Sequence, residues 1–217
     1  MSLLKIKMGA WLAPICLLAS SFAVADTKMV LNYDGFFDRI EKLDEPEFTS
    51  VKLAFYLKQL SDGQVCPIKN VTLKTKLKEK PVYFYDTGEV VLPYDKQLDL
   101  DKAKVIIDKD TLEECGLDMR LESTELFQSE VSTSRITKLT SQFDGALESL
   151  AGMMAFLTPD VVGVTFLAAP ADELKVVNSK VGQCKSNRCT ITIKEIEQVD
   201  TVLFNLAPVK ALPYITK

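Results

Sequence analysis

Apolar residues step by threes and fours across residues 33–43, where Phe36, Phe37, Ile40 and Leu43 recur. That spacing predicts a short amphipathic helix, ended by Asp44-Glu45-Pro46. From Thr49 the period drops to two. Val51, Leu53, Phe55 and Leu57 alternate with Lys52, Ala54, Tyr56 and Lys58, the pattern of a half-buried strand. Ser61-Asp62-Gly63 then signals a turn. Strand-like runs follow over residues 70–75, 81–85, 89–92, 103–107 and 117–122, separated by Asp86-Thr87-Gly88, by Asp99 with Asp101, and by Cys115-Gly116. Short strands with frequent turns and no crossover helices predict an antiparallel β-sandwich-like region over about residues 48–130.

The period returns to helical near Ser132. Ile136, Leu139, Phe143, Ala146, Leu147, Leu150, Met153, Met154 and Leu157 mark one long amphipathic helix over about residues 133–157, stopped by Thr158-Pro159. Runs at 161–168, 174–177, 190–196 and 202–206 predict a smaller antiparallel β region over about residues 160–207. Pro208 and Pro213 mark an extended tail. The fold class is therefore α+β, one unit over residues 26–217 with two β subregions.

The first 25 residues read differently. Lys5 and Lys7 are the only charges before Asp26, an apolar stretch covers residues 8–19, and Ala23-Val24-Ala25 forms a small-x-small triplet. This is the order of a cleavable secretory signal peptide, with cleavage between Ala25 and Asp26. Its apolar stretch is shorter than the roughly 20 residues of a membrane span. Cys16 follows Ile15, which is not the small residue a lipid-attachment site wants. The later apolar stretch 153–171 holds Pro159, Asp160 and Pro170, so a helix end followed by a buried strand fits it better than a span. The expected location is the periplasm.

Export changes how the cysteines are read. Removing 25 of 217 residues leaves 192, enough for a real core. Cys66, Cys115, Cys184 and Cys189 remain, an even number that implies two disulfides in an oxidising compartment. Three pairings are possible. Sequence locality favours Cys66–Cys115 and Cys184–Cys189, the second a small hairpin clip.

Charge and composition narrow the chemistry. The chain carries 26 basic and 30 acidic residues. A mildly acidic chain without a basic stripe argues against nucleic acid. There is no histidine, which removes His-dependent triads, His general bases and most catalytic zinc sites. Walker, Gly-x-Gly-x-x-Gly and Gly-x-Ser-x-Gly motifs are also missing. No cofactor or metal is implied. Carboxylate chemistry is what remains, with Asp95, Asp99, Asp101, Asp108 and Asp110 as the candidates for a glycan hydrolase. They lie in lysine-rich, turn-like sequence, which is also how solvated loops look. Lys69, Lys74, Lys76, Lys78 and Lys80 form a lysine-rich run, and the four from Lys74 to Lys80, at every second residue, would share a face as an extended strand, suiting an anionic envelope component or a guarded sheet edge. Tyr83, Phe84, Tyr85 and Tyr94 offer a carbohydrate- or peptide-binding face, or simple packing within a sheet.

Residues 51–57, Gly63-Gln64-Val65-Cys66, Glu114-Cys115 and Pro159-Asp160-Val161-Val162-Gly163-Val164, taken with the signal peptide, resemble an uncharacterised domain-of-unknown-function family of exported gammaproteobacterial envelope proteins. The resemblance implies a Gram-negative envelope location and transfers no active residues. The Cys184–Cys189 pair stands outside its pattern. Two functions follow as expectations: a non-enzymatic periplasmic binding or interaction module for an envelope protein or glycan, and, as alternative, a carboxylate-based envelope glycan hydrolase.

Overall fold

Two hydrophobic cores organise the computed structural model, which describes residues 27–215 except Ser179. The expected signal peptide, with its expected cleavage between Ala25 and Asp26, and Cys16 lie outside the described residues.

The first core is made by β1 (Lys28–Asn32), α1 (Asp34–Glu41), β2 (Val51–Gln59), β3 (Ile68–Lys74), β4 (Glu79–Pro81), β5 (Glu89–Val90), α2 (Lys96–Leu100), β6 (Lys104–Lys109) and β7 (Cys115–Ser123). Its strands form two antiparallel sheets, ordered β1-β6-β3-β4 and β5-β2-β7. Val71, Leu73, Val105 and Ile107 of the first sheet share a buried cluster with Phe55 and Leu57 of the second. Helix α1 adds Phe36, whose ring meets Phe55 edge-on at 5.0 Å. A disulfide joins Cys66 to Cys115 across this core, with Cα atoms 6.1 Å apart.

The second core contains β8 (Glu130–Ser132), α3 (Thr133–Ala151), β9 (Val161–Leu167), β10 (Gln183–Lys185), β11 (Arg188–Thr192), β12 (Thr201–Leu203) and β13 (Lys210–Ile215). The sheet runs β10-β11-β9-β13, with β12-β8 as a separate pair. Helix α3 starts where Ser132 Oγ accepts the Arg135 N–H at 3.3 Å. It buries Ile136, Leu139, Phe143 and Ala146 in the same cluster as Val164 and Phe166 of β9. Burying one such large side chain contributes about 1.5–3 kcal/mol. Cys184 and Cys189 face each other in the β10–β11 hairpin and are bonded. Leu53 packs against both cores, and β13 lies against β7, so the two halves meet at the β2–β7 pair.

The architecture is thus α+β with antiparallel sheets and one main helix, as the periodicities predict. Three elements differ from expectation. The long helix stops at Ala151, because Gly152 takes φ +57° and the next turn tightens into a 3₁₀ segment, Gly152–Leu157. Met153, Met154 and Leu157 therefore leave the expected core face, and Met153 is 95% exposed. The lysine run is not one extended strand. It reverses at a turn where Thr75 and Lys78 exchange hydrogen bonds, leaving Lys74 on β3 and Lys80 on edge strand β4. The tail expected after Pro208 is strand β13. Its Pro213 is tolerated because β13 is a sheet edge and needs no donor on its outer side. No helix among the described residues is long and apolar enough to cross a membrane.

Candidate functional site: an apolar groove beside a buried charge network

The β2–β7 pair carries two unlike faces. Alternation puts Lys52, Ala54 and Tyr56 on one side of β2, and register sets Lys52 opposite Glu122 and Ala54 opposite Arg120. On this face Tyr56 Oη donates to Glu122 Oε1 at 2.7 Å and lies 3.3 Å from Glu89 Oε2. Lys210 of β13 donates to Tyr56 Oη at 2.8 Å and pairs with Glu122 at 2.9 Å. Lys52 pairs with Glu89 at 2.6 Å. The guanidinium of Arg120 stands 5.2 Å from the centre of the Tyr56 ring. Tyr56, Glu89 and Glu122 are all buried. Burial, with hydrogen bonds to Glu122 and Glu89, pushes the Tyr56 phenol above its ordinary range, since its anion would face two carboxylates. The network neutralises each buried carboxylate with a lysine and fixes β13 to β7.

The opposite face of the pair is apolar. Leu53 of β2 stands opposite Leu121 of β7, and Phe55 opposite Met119. Beside Leu53, Met119 and Leu121 opens a groove of about 410 Å³. Leu147 and Leu150 of α3 form a second wall, and Leu212, Pro213 and Ile215 of β13 a third. Arg39 of α1 and Arg120 complete the lining. Met119 and Ile215 are both more than two-fifths exposed, so the groove opens to solvent. Its volume and apolar lining suit a small ligand.

The residues singled out in the sequence are placed elsewhere. Asp95 caps α2, accepting from the Gln97 and Leu98 N–H groups. Asp99 pairs with Lys102 at 3.4 Å, Asp101 accepts from Gln97 Nε2 at 2.8 Å, and Asp108 pairs with Lys28 across β1–β6 at 3.4 Å. Asp110 follows β6 and is exposed. Tyr83 and Tyr85 are exposed and meet edge-on at 4.9 Å, whereas Phe84 packs on the first core and Tyr94 stacks on Phe37 at 5.1 Å. Lys69 is exposed on β3, and Lys74 is paired with Glu79 of β4. Sequence reasoning missed Glu89, Glu122, Lys210 and the groove. No local signal marked Glu122: Asp118, Arg120 and Glu122 alternate with Leu117, Met119 and Leu121 as in any half-buried strand, and only the register with β2 and the approach of β13 set it in the network.

Fold and site together define a disulfide-stapled α+β protein with an apolar groove at the meeting of its two cores. Among known proteins, the chain belongs to the family described as Protein of unknown function (DUF2987), whose model matches residues 25–167. No curated protein and no solved structure matches the chain. The matched segment ends with β9 and includes both carboxylates of the network, Glu89 and Glu122. Lys210, the β13 wall of the groove and the Cys184–Cys189 hairpin lie beyond it.

Proposed function

We propose that this chain is an exported periplasmic protein that works as a non-enzymatic binding module of the cell envelope, with the groove beside Leu53, Met119 and Leu121 as its binding site. The observation that carries the reading is the groove itself, an open apolar cavity of about 410 Å³ walled by β2, β7, α3 and β13. Two disulfides are consistent with an oxidising compartment. Catalysis is less well supported. Glu89 and Glu122 converge on Tyr56, but each is held by a lysine and buried, so neither is presented to a glycan as an acid or nucleophile.

The test is binding of a neutral apolar fluorophore, N-phenyl-1-naphthylamine, to the purified mature chain. Met119→Glu and Leu212→Glu should each weaken binding about tenfold or more, since a carboxylate in an apolar cavity costs more than a tenfold change in affinity is worth. Undiminished binding by both folded variants would remove the groove from the reading. Fractionation of cells expressing the full chain, with the mass of the recovered N-terminus, tests export and cleavage before Asp26. A second reading, a glycan bound on the exposed Tyr83–Tyr85 pair, rests on their exposure and edge-on contact. It predicts that a Tyr83→Ala, Tyr85→Ala variant loses retention on a peptidoglycan column.

A further inference from the structure

The groove continues into a polar cleft. Arg39 and Leu150 line the apolar cavity, and the same two residues line a neighbouring cleft of about 480 Å³ together with Asp38, Glu41 and Lys42. An apolar chamber therefore shares a border with the last turn of α1 and its C-cap Lys42, which together carry two cations and two anions. The charges on that turn are not spent on each other. Arg39 donates to the Gly35 carbonyl at 2.5 Å and Lys42 to the Leu150 carbonyl at 3.2 Å; among the described residues neither forms an ion pair. Asp38 and Glu41 likewise form no ion pair among the described residues. Arg120, the other guanidinium of the groove, is already bound to Asp118 at 2.5 Å and set against the Tyr56 ring.

We infer that the site takes a single-chain amphiphile with a zwitterionic head, one phosphate and one ammonium, its acyl or alkyl chain lying in the groove. The inference rests on the groove reading above and names the ligand class. The chain is recognised by apolar area alone, which is why leucine, methionine and isoleucine suffice to line the cavity. The phosphate meets Arg39, whose planar fork keeps several N–H groups free after the bond to Gly35, and Lys42 beside it. The ammonium meets Asp38 and Glu41. A head with both charges suits this turn better than a bare carboxylate, because an anion alone would approach the Asp38 and Glu41 side chains with no cation of its own to offset them. The lipid-like class also fits one chain better than two, since 410 Å³ is at the lower end of small-ligand cavities.

The experiment uses three probes with the same twelve-carbon chain, each below its micelle concentration: dodecanol, dodecanoate and dodecylphosphocholine. Calorimetric titration of the mature chain should rank dodecylphosphocholine tightest, by roughly tenfold over both others, the weight of one charge-assisted contact. Arg39→Gln, an exposed position that leaves the core untouched, should abolish the preference, so that the variant binds dodecylphosphocholine no more tightly than dodecanol. Equal affinity for dodecanol and dodecylphosphocholine would overturn the head-group assignment while the groove reading stands. Dodecanoate binding tightest would overturn it in favour of a plain anion. Failure of all three to bind would overturn the groove reading itself.

Discussion

Glu122 and Lys210 are 88 residues apart in the chain and 2.9 Å apart in the fold. Their pair is the clasp between the two cores, because Glu122 belongs to β7 and Lys210 opens β13. The next residues repeat the contact through neutral groups, with the Ala211 N–H donating to Ser123 Oγ at 2.8 Å. The β13 wall of the groove begins directly after this clasp, at Leu212. The network therefore anchors the strand that supplies the β13 wall of the groove. Lys210→Met leaves the buried Glu122 without its cation. It should cost about 3 kcal/mol, the low end for breaking a buried pair. Urea unfolding measures that loss, and hydrogen exchange should show β13 released first. Lys210→Met combined with Glu122→Gln should recover part of it, and no recovery would mean the two residues act independently.

Tyr56 makes the same clasp sensitive to alkali. Its folded phenol titrates above the ordinary value of 10.0, because it is buried and faces Glu122 and Glu89. The neutral form is thus favoured by folding. That stabilisation is fully present below about pH 10 and is lost as pH rises beyond it, while the unfolded chain ionises and the folded one resists. Tyr56→Phe should cost about 1–3 kcal/mol at neutral pH by leaving Glu122 and Lys210 short of a partner. It should also flatten the fall in stability above pH 10, read from melting temperatures across that range.

Glu195 works at the acid end. It follows Thr192 by three residues and closes a capping box, taking the Thr192 N–H at 2.9 Å and the Thr192 hydroxyl at 2.7 Å. Partial burial favours its neutral form, but these bonds and one from the Gly182 N–H outweigh it and hold the carboxyl below its usual range. A depressed carboxyl stabilises the fold above its unfolded value, near 4.5, and that contribution drains away as pH falls through the folded value. Glu195→Gln should lower stability by about 0.5–2 kcal/mol at pH 7 and reduce the acid slope below pH 4.5. An unchanged slope would mean the box does not titrate.

Much of this fold is legible in the chain because periodicity is local. Phe36 and Phe37 mark α1, alternation from Val51 marks β2, and Ile136 to Ala146 marks α3, each within its own few residues. The clasp and the groove are not legible for the opposite reason. Lys52 and Glu122 each read as a solvent-facing charge until register sets them on one face, and Lys210 reads as part of a proline-marked tail until β13 pairs with β9. Helix length failed where one backbone angle decided it. The apolar spacing runs on through Met153 to Leu157, but Gly152 turns left-handed and the side chains beyond it face outward. What each acidic candidate holds was not legible either, because charge clustering in a sequence does not state a carboxylate's partner, and Asp95 holds a helix end.

The two disulfides should differ in weight. Cys66–Cys115 spans 49 residues and ties buried parts of the first core, whereas Cys184–Cys189 spans 5 within one hairpin. The chain-entropy relation gives about 4 kcal/mol for the first and about 2 for the second. Paired serine variants, compared by urea unfolding without reductant, check the ranking. Since β13 and the groove depend on neither hairpin cysteine, Cys184→Ser with Cys189→Ser should keep fluorophore binding.

Gly163 explains one short string that the family resemblance rests on. It sits in β9 between Thr192 of β11 and Tyr214 of β13, and both neighbouring strands pair with it. A Cβ placed here would overlap the Ile191 carbonyl oxygen and come within 2.7 Å of the Thr192 Cα. Both are backbone atoms, so no side chain can swing aside, and β11 itself must move. Gly163→Ala should therefore cost about 1–3 kcal/mol, as overpacking does. Gly35→Ala supplies the contrast. Its nearest atom is the flexible end of Arg39 at 3.8 Å and it lies in α1, so the added methyl should stabilise by about 0.5–1 kcal/mol. Thermal unfolding of the two variants should move in opposite directions. A neutral Gly163→Ala would mean that β9 and β11 have slack, and then the groove wall that β9 supports through β13 would also be free to shift.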